Sequence, residues 1–144
     1  VIIIGIDPGT SGGIASRVGD TTWVIKMPDS PVEIAKEIQM FAGERGTCYL
    51  EKVHSMPGQG VVSSFKFGRN LGVLEGILAA LQIRLEWVTP QTWQKALGCM
   101  SKGDKNVTKR KALELFPDIK VTHSTADALL ICEYGFRKES GRIL

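Results

Sequence analysis

The chain opens on an apolar run, Val1-Ile2-Ile3-Ile4-Gly5-Ile6, broken only where Asp7-Pro8-Gly9 follows. β-Branched side chains favour a strand, and a run without polar alternation marks a strand covered on both faces. Two further short apolar stretches, Gly12 to Val18 and Thr21 to Met27, flank Gly19-Asp20 and predict a hairpin or meander. Ser30-Pro31-Val32-Glu33 is a capping box with proline at the first helical position. Ile34, Ala35, Ile38, Phe41 and Ala42 then recur at helical spacing, which predicts a helix over 31–43. Thr47 to Val53 reads as a fourth strand, reached through a helix and therefore parallel to a neighbour. After a loop over 54–64, Leu71, Leu74, Ile77, Leu78 and Leu81 form one stripe of a helix running from about Lys66 to Ile83. Leu85 to Val88 is a fifth strand. Thr89-Pro90 caps a short helix containing Trp93, which Gly98 stops; a basic loop and helix run from Lys102 to Phe116; Ser124 opens a last helix through Cys132.

Three antiparallel strands followed by helix, strand, helix, strand and helices predict an α/β fold: one five-stranded mixed sheet flanked by helices. With 144 residues and no repeat, linker or low-complexity segment, the expectation is a single domain over 1–144 that needs neither disulfides nor a structural metal to fold.

Composition removes several classes. No apolar stretch approaches the length of a membrane span, and the apolar start lacks the length and basic leader of a signal peptide, so the expected setting is intracellular, without a membrane partner. Cys48, Cys99 and Cys132 are odd in number and unpaired in spacing, and His54 and His123 are the only histidines, which argues against a zinc site or a disulfide framework. The net charge of +3 is mild, but five of the ten residues from Lys102 to Lys111 are basic: Lys102, Lys105, Lys109, Arg110 and Lys111. Such a run is either a solvated face or a set of phosphate contacts. Between helices it suits phosphate, with Lys105 and Lys109 as the favoured contacts.

Three acids carry the candidate chemistry. Asp7 and Glu51 both stand at the ends of strands, and ligands collect at the carboxyl edge of parallel strands. Asp127 interrupts the apolar start of the final helix, Thr125-Ala126-Asp127-Ala128-Leu129, where it either completes a capping box with Ser124 or belongs to a site. Acids in such settings are normally paired or metal-bound, and oxygen donors suit Mg²⁺, with Mn²⁺ as a substitute. Two ions per site would serve phosphodiester hydrolysis, one activating a water and the other steadying the leaving oxygen. His123, four residues before Asp127, shares its face if the helix begins that early, and could orient a water or bind an ion.

Between Glu51 and the second helix, residues 54–70 are small, flexible and rich in donors, with Phe65, Lys66, Phe67 and Arg69 interleaved. Lys66 and Arg69 suit phosphates, and the phenylalanines suit unstacked bases unless they anchor the helix to the core. Gly68, Gly72 and Gly76 bare one helical stripe, which calls for close packing by the sheet of the same chain or by a second chain.

These residues give the chain a resemblance to RuvC-type Holliday junction resolvases, in particular the short phage and prophage-encoded members. The likeness spans nearly the whole chain. It rests on Gly5-Ile6-Asp7-Pro8-Gly9, on Leu50-Glu51-Lys52-Val53-His54-Ser55-Met56-Pro57-Gly58-Gln59-Gly60, on Phe67-Gly68-Arg69-Asn70, on Val88-Thr89-Pro90-Gln91-Thr92-Trp93 and on Ala126-Asp127-Ala128-Leu129-Leu130. The resemblance implies an RNase H-like fold, a homodimer, a cytoplasmic setting in a bacterial cell, and Mg²⁺-dependent paired nicking of two like-polarity strands in a four-way DNA junction. It also implies that Asp7, Glu51 and Asp127 are metal-binding carboxylates. The family commonly places a fourth ligand three residues before the last Asp. That position is Ser124 here, and the adjacent His123 is the better donor. The loop after the second acid enters the junction in the family, which makes His54, Gln59 and the segment from Phe65 to Arg69 candidate DNA contacts.

Alternative readings are a nuclease for other branched or flap DNA, a junction-binding protein whose acids only stabilise the fold, and a nucleotide-binding protein of the actin-like fold. The last rests on Asp7-Pro8-Gly9-Thr10-Ser11-Gly12, which also looks like the phosphate loop of sugar kinases and ATPases.

Overall fold

The computed structural model describes residues 1–43, 45–53 and 58–143. Five strands, β1 (Ile2–Asp7), β2 (Gly13–Val18), β3 (Thr21–Lys26), β4 (Gly46–Glu51) and β5 (Arg84–Val88), form one sheet in the order β3-β2-β1-β4-β5. β1, β2 and β3 pair antiparallel, β4 runs parallel to β1, and β5 runs parallel to β4. This is the mixed α/β sheet that the hydrophobic pattern predicts.

Five helices cover it: α1 (Pro31–Gln39), α2 (Val61–Ala80), α3 (Pro90–Leu97), α4 (Lys105–Leu115) and α5 (His123–Glu139). Alternation along β1 sorts its side chains between two cores. Ile2, Ile4 and Ile6 pack with Ile34 and Ile38 of α1 and Leu74 and Leu78 of α2. Ile3 packs on the other face with Trp93 of α3, Ala112 of α4 and Leu129 and Leu130 of α5. Asp7 continues the odd-numbered series and therefore faces α5.

Gly5 sets how closely α5 lies against β1. A Cβ added there would stand 2.7 Å from the Ala128 carbonyl oxygen, inside any tolerable contact. The bare glycine thus lets the N-terminal half of α5, with Asp127, settle over the end of β1.

Helix boundaries differ from the sequence expectation in physically readable ways. α1 ends at Gln39 rather than near 43, because Phe41 and Ala42 donate to carbonyls three residues back and Gly43 turns left-handed at φ 82°. α2 begins at Val61 rather than Lys66. Its first turn carries no core-facing stripe and Gly60 offers no capping side chain, so neither periodicity nor a cap announces it. α5 is capped by Thr122 and Thr125, which satisfy each other's backbone and side chain. Ser124 and Asp127 therefore do not form the capping box, and Asp127 stands a turn deeper in the helix.

The glycine stripe of α2 is open. A Cβ at Gly68, Gly72 or Gly76 would meet none of the described residues within 4 Å, so the sheet of the same chain is not the element that packs there. Among the described residues, no helix is long and apolar enough to cross a membrane.

Candidate active site

Asp7 and Glu51 lie at the same edge because β1 and β4 are parallel with Ile6 opposite Leu50. Both acids are the last residues of their strands. Behind Asp7 the chain turns sharply: Gly12 donates its N–H to the Gly9 carbonyl at 2.9 Å, and a Cβ at Gly12 would run into the Asp7 carbonyl and carboxyl. The Gly9 N–H points back at Asp7 Oδ1 from 3.5 Å.

Glu51 is almost sealed, with 7% of its surface exposed. Its Oε2 accepts a 2.7 Å hydrogen bond from the indole Nε1–H of Trp93, itself fully buried on α3. α3 is fixed at its start by Thr89, whose hydroxyl caps Thr92, and at its end by Gly98 in the left-handed conformation. The indole N–H is thereby aimed at the strand end.

Asp127 is brought to the same place by α5. Thr108 of α4 lines the same hollow, its hydroxyl donating to the Lys105 carbonyl at 3.3 Å, and Asp127 feels the positive charge of Lys105 and the field of His123. Two adjoining hollows open here, and Asp127 lines both. One of ≈ 270 Å³ holds Asp7, Ser11, Lys105, Thr108 and His123; the other of ≈ 340 Å³ holds Glu51, Gln94, Ser101 and Lys102.

The electrostatics are those of like charges crowded out of water. Burial, and then the nearby Asp127, raise the Asp7 carboxyl to about 6, against partial relief from the Gly9 N–H and Lys105. Burial, and then Asp7, raise Glu51 to about 8, although the Trp93 hydrogen bond pulls the other way. Burial raises Asp127 as well, with Thr108, Lys105 and His123 opposing. Only a cation relieves such a cluster without a proton. The donors are hard carboxylate oxygens of the kind that Mg²⁺ and Mn²⁺ accept. Among the described residues, no three His, Cys, Asp or Glu side chains close on a single point to hold one ion by themselves. The three acids instead spread over the two hollows, a set of hard oxygen donors that would fit a divalent cation whose coordination water or a phosphate completes.

The remaining candidates separate into groups. His123 is the first residue of α5 and lines the Asp7 hollow. Lys105, expected to touch phosphate, stands beside Asp7 and Asp127, and Lys102 stands beside Glu51 and Asp127. Lys109 lies one turn after Lys105 on α4 and is half-buried. Phe65 is exposed at the N-terminal end of α2, as are Lys66 and Arg69, while Phe67 is half-buried. Gln59 is exposed just before that helix. His54 lies outside the described residues.

Thr108 and Trp93 are the site residues that sequence reasoning missed beside the acids. The available signal for Trp93 was that a core tryptophan needs an acceptor for its N–H. Thr108, one polar residue in a basic helix, gave none.

The fold is that of RuvC-type proteins, with the same five-stranded mixed sheet and flanking helices. The chain is similar to Thermus thermophilus RuvC, at 17% identity and a TM-score of 0.65 over 99% of this chain and 98% of that one. It is also similar to T. thermophilus RuvC in complex with a Holliday junction substrate, at 16% identity and a TM-score of 0.70 over the same shares. The yeast mitochondrial Holliday junction resolvase Ydc2 matches at 16% identity and a TM-score of 0.50, over 96% of this chain and 78% of that one. No protein-family model and no curated protein sequence matches the chain.

Proposed function

We propose that this protein is a metal-dependent endodeoxyribonuclease that resolves four-way DNA junctions by nicking two strands of like polarity. The observation that carries the proposal is the convergence of Asp7, Glu51 and Asp127, from three separate elements, at one sheet edge where their charges repel. Such an arrangement costs stability and is reasonable only where a cationic ligand repays it. The likeness to a RuvC captured with a junction supports the choice of substrate.

In this reading Asp7, Glu51 and Asp127 hold two Mg²⁺ ions, with Mn²⁺ able to replace them and His123 as a further ligand or water-orienting group. When bound, the ions supply an activated water and a charge to steady the leaving oxygen. The chain itself does the positioning. Trp93 fixes one oxygen of Glu51, the turn at Gly9 and Gly12 fixes Asp7, and Thr108 and Lys105 line the hollow beside Asp127. Lys102, Lys105 and Lys109 neutralise phosphate oxygens along the α4 side, and Gln59, Lys66, Phe67 and Arg69 on the α2 side meet the branch point, whereas Phe65 lies on the glycine-stripe face of α2.

A symmetric junction calls for two sites related by a twofold axis. The open stripe of Gly68, Gly72 and Gly76 on α2, with Val61 and Phe65 exposed beside it, is the surface through which two copies associate.

Incubation with a labelled four-way junction and a matched duplex, with Mg²⁺ and with EDTA, tests the reading. Symmetric nicks in the junction alone, only with metal, are expected. Cutting of flaps in preference to junctions would shift the substrate to other branched DNA. Junction binding without nicking under any divalent ion would leave a binding protein.

A further inference from the structure

Two consecutive side chains of α3 serve the acid site in different ways. Trp93 holds Glu51, and Gln94, only 9% exposed, turns to the segment that links α3 to α4. Gln94 Oε1 accepts from the Ser101 N–H at 3.0 Å and from the Ser101 hydroxyl at 3.1 Å. Its main-chain carbonyl accepts the Cys99 N–H at 2.9 Å. Trp93 and Leu97 already fill the core beneath α3, so a buried amide beside them adds direction rather than packing.

Ser101 passes that anchoring on. Its carbonyl accepts the Asp104 N–H at 2.9 Å, closing a tight turn whose central residues, Lys102 and Gly103, are both left-handed at φ 49° and 89°. Gly103 takes that conformation freely, whereas a lysine keeps it only where its surroundings fix the backbone. Asp104 then caps α4 by accepting the Asn106 N–H. The turn is held at both ends. Lys102 stands exposed at its tip, lining the ≈ 340 Å³ hollow with Glu51 and Asp127. A loose connection would let this long side chain swing away, and the entropy of ordering it again would oppose DNA binding.

We propose that Gln94 is a positioning residue: by holding Ser101 it fixes the left-handed turn, so that Lys102 is set in advance to meet a phosphate of the DNA strand entering the Glu51 hollow. The inference rests on the part of the proposed function in which Lys102 contacts phosphate, and it names what prepares that contact.

Gln94→Met keeps the length of the side chain and removes the acceptor. Ser101→Ala, a milder change, removes the hydroxyl and keeps the main-chain N–H, and carries the test if Gln94→Met does not fold. Junction affinity is measured without metal across a salt series, and nicking with Mg²⁺ gives kcat and KM. Gln94→Met should raise the metal-free Kd and the KM by roughly eightfold at 0.1 M salt, the worth of one phosphate contact. The slope of log affinity against log salt should fall by about one for each subunit bound, while kcat stays within about twofold of wild type. Ser101→Ala should fall between the two. Trypsin should cut after Lys102 faster in both variants, as the masses of the fragments report. In a Lys102→Ala background, Gln94→Met should cost no further affinity, because its effect passes through that lysine.

A folded variant with the wild-type salt slope and trypsin rate would overturn the inference, as would additive losses in the double variant, and both leave the nuclease reading intact. These effects on binding in a protein that nicks no junction with any divalent ion would remove the nuclease reading and keep the inference. A wild-type protein that binds no DNA would remove both.

Discussion

The indole Nε1–H of Trp93 donates to Glu51 Oε2 over 2.7 Å, with the ring fully buried and the carboxyl nearly so. One lone-pair direction of Glu51 is thus assigned within the protein, which leaves Oε1 as the oxygen to face the hollow. Trp93→Phe keeps the aromatic filling but removes the donor. We expect it to weaken Mg²⁺ activation of cleavage by roughly tenfold, as removal of partners behind metal ligands usually does. It should also cost about 1–3 kcal/mol of stability, through a buried acceptor left unpaired. Cleavage rate against Mg²⁺ concentration and a urea melt measure the two effects.

The acids should be individually indispensable to chemistry and individually harmful to the metal-free fold. Asp7→Asn, Glu51→Gln and Asp127→Asn should each lower the nicking rate by at least about a thousandfold, while junction affinity measured in EDTA is kept. Because each change removes one of several repelling charges, the metal-free variants should melt higher than wild type, with about 1 kcal/mol corresponding to roughly 3 °C in a domain of this size. Variants that melt lower would indicate that the acids hold the fold together.

The pH dependence has a definite sign. Asp7, raised from 3.8 to about 6, and Glu51, raised from 4.5 to about 8, both bind protons more tightly in the folded state than in the unfolded chain. Their contribution to stability is fully present below about pH 4 and is lost as pH rises through 6 and then 8. Metal-free protein should therefore lose melting temperature between pH 5 and 8.5 from these groups. Mg²⁺ should restore more of it at pH 8 than at pH 5.5. Titration calorimetry at pH 7 in buffers of different ionisation enthalpy should show protons released as Mg²⁺ binds, since Glu51 is still largely protonated there.

Much of this arrangement is visible in the sequence because it depends on local grammar. The uninterrupted apolar run before Asp7, the capping box at Ser30 and the Thr89-Pro90 start of α3 each announce their element, and parallel pairing of β1 with β4 follows from the helix between them. The three acids could be picked out because each occupies a position where a charge is costly. What was hidden depends on tertiary contact. Thr108 and Asp127 meet only because α4 packs on α5. The early start of α2 was hidden because Val61, Val62 and Phe65 are exposed and obey no core periodicity. The capping pair of α5 stays ambiguous in the sequence because Ser124 and Asp127 carry the same three-residue spacing as the pair that performs the capping, Thr122 and Thr125.

Gly5 joins fold and site through one missing methyl group. Gly5→Ala would push its Cβ against the Ala128 carbonyl and the backbone of Cys132, neither of which is a flexible side-chain end. Overpacking of this kind costs about 1–3 kcal/mol. It should also lift Asp127 away from Asp7, so the variant should lose nicking activity at temperatures where circular dichroism still reports a native fold. Full activity in a folded variant would show that the close approach of α5 is not required for the site.

The open stripe on α2 makes the last prediction. In a helix interior each glycine costs about 1 kcal/mol relative to alanine, and none of the described residues packs over Gly68, Gly72 or Gly76 to offset that. Val61 and Phe65, 87% and 70% exposed, extend the same apolar face toward the start of the helix. Two copies meeting along α2 would bring their backbones close at the glycines and bury both side chains. Gly72→Arg places a long charged side chain in the middle of that contact, in space that is empty within the monomer, so the isolated chain should fold unchanged. Light scattering should give a dimer for wild type and a monomer for the variant. The monomer should then nick the two strands of a junction independently, accumulating singly cut junctions in place of paired products. A wild-type monomer at micromolar concentration, or a variant that still dimerises, would place the interface elsewhere.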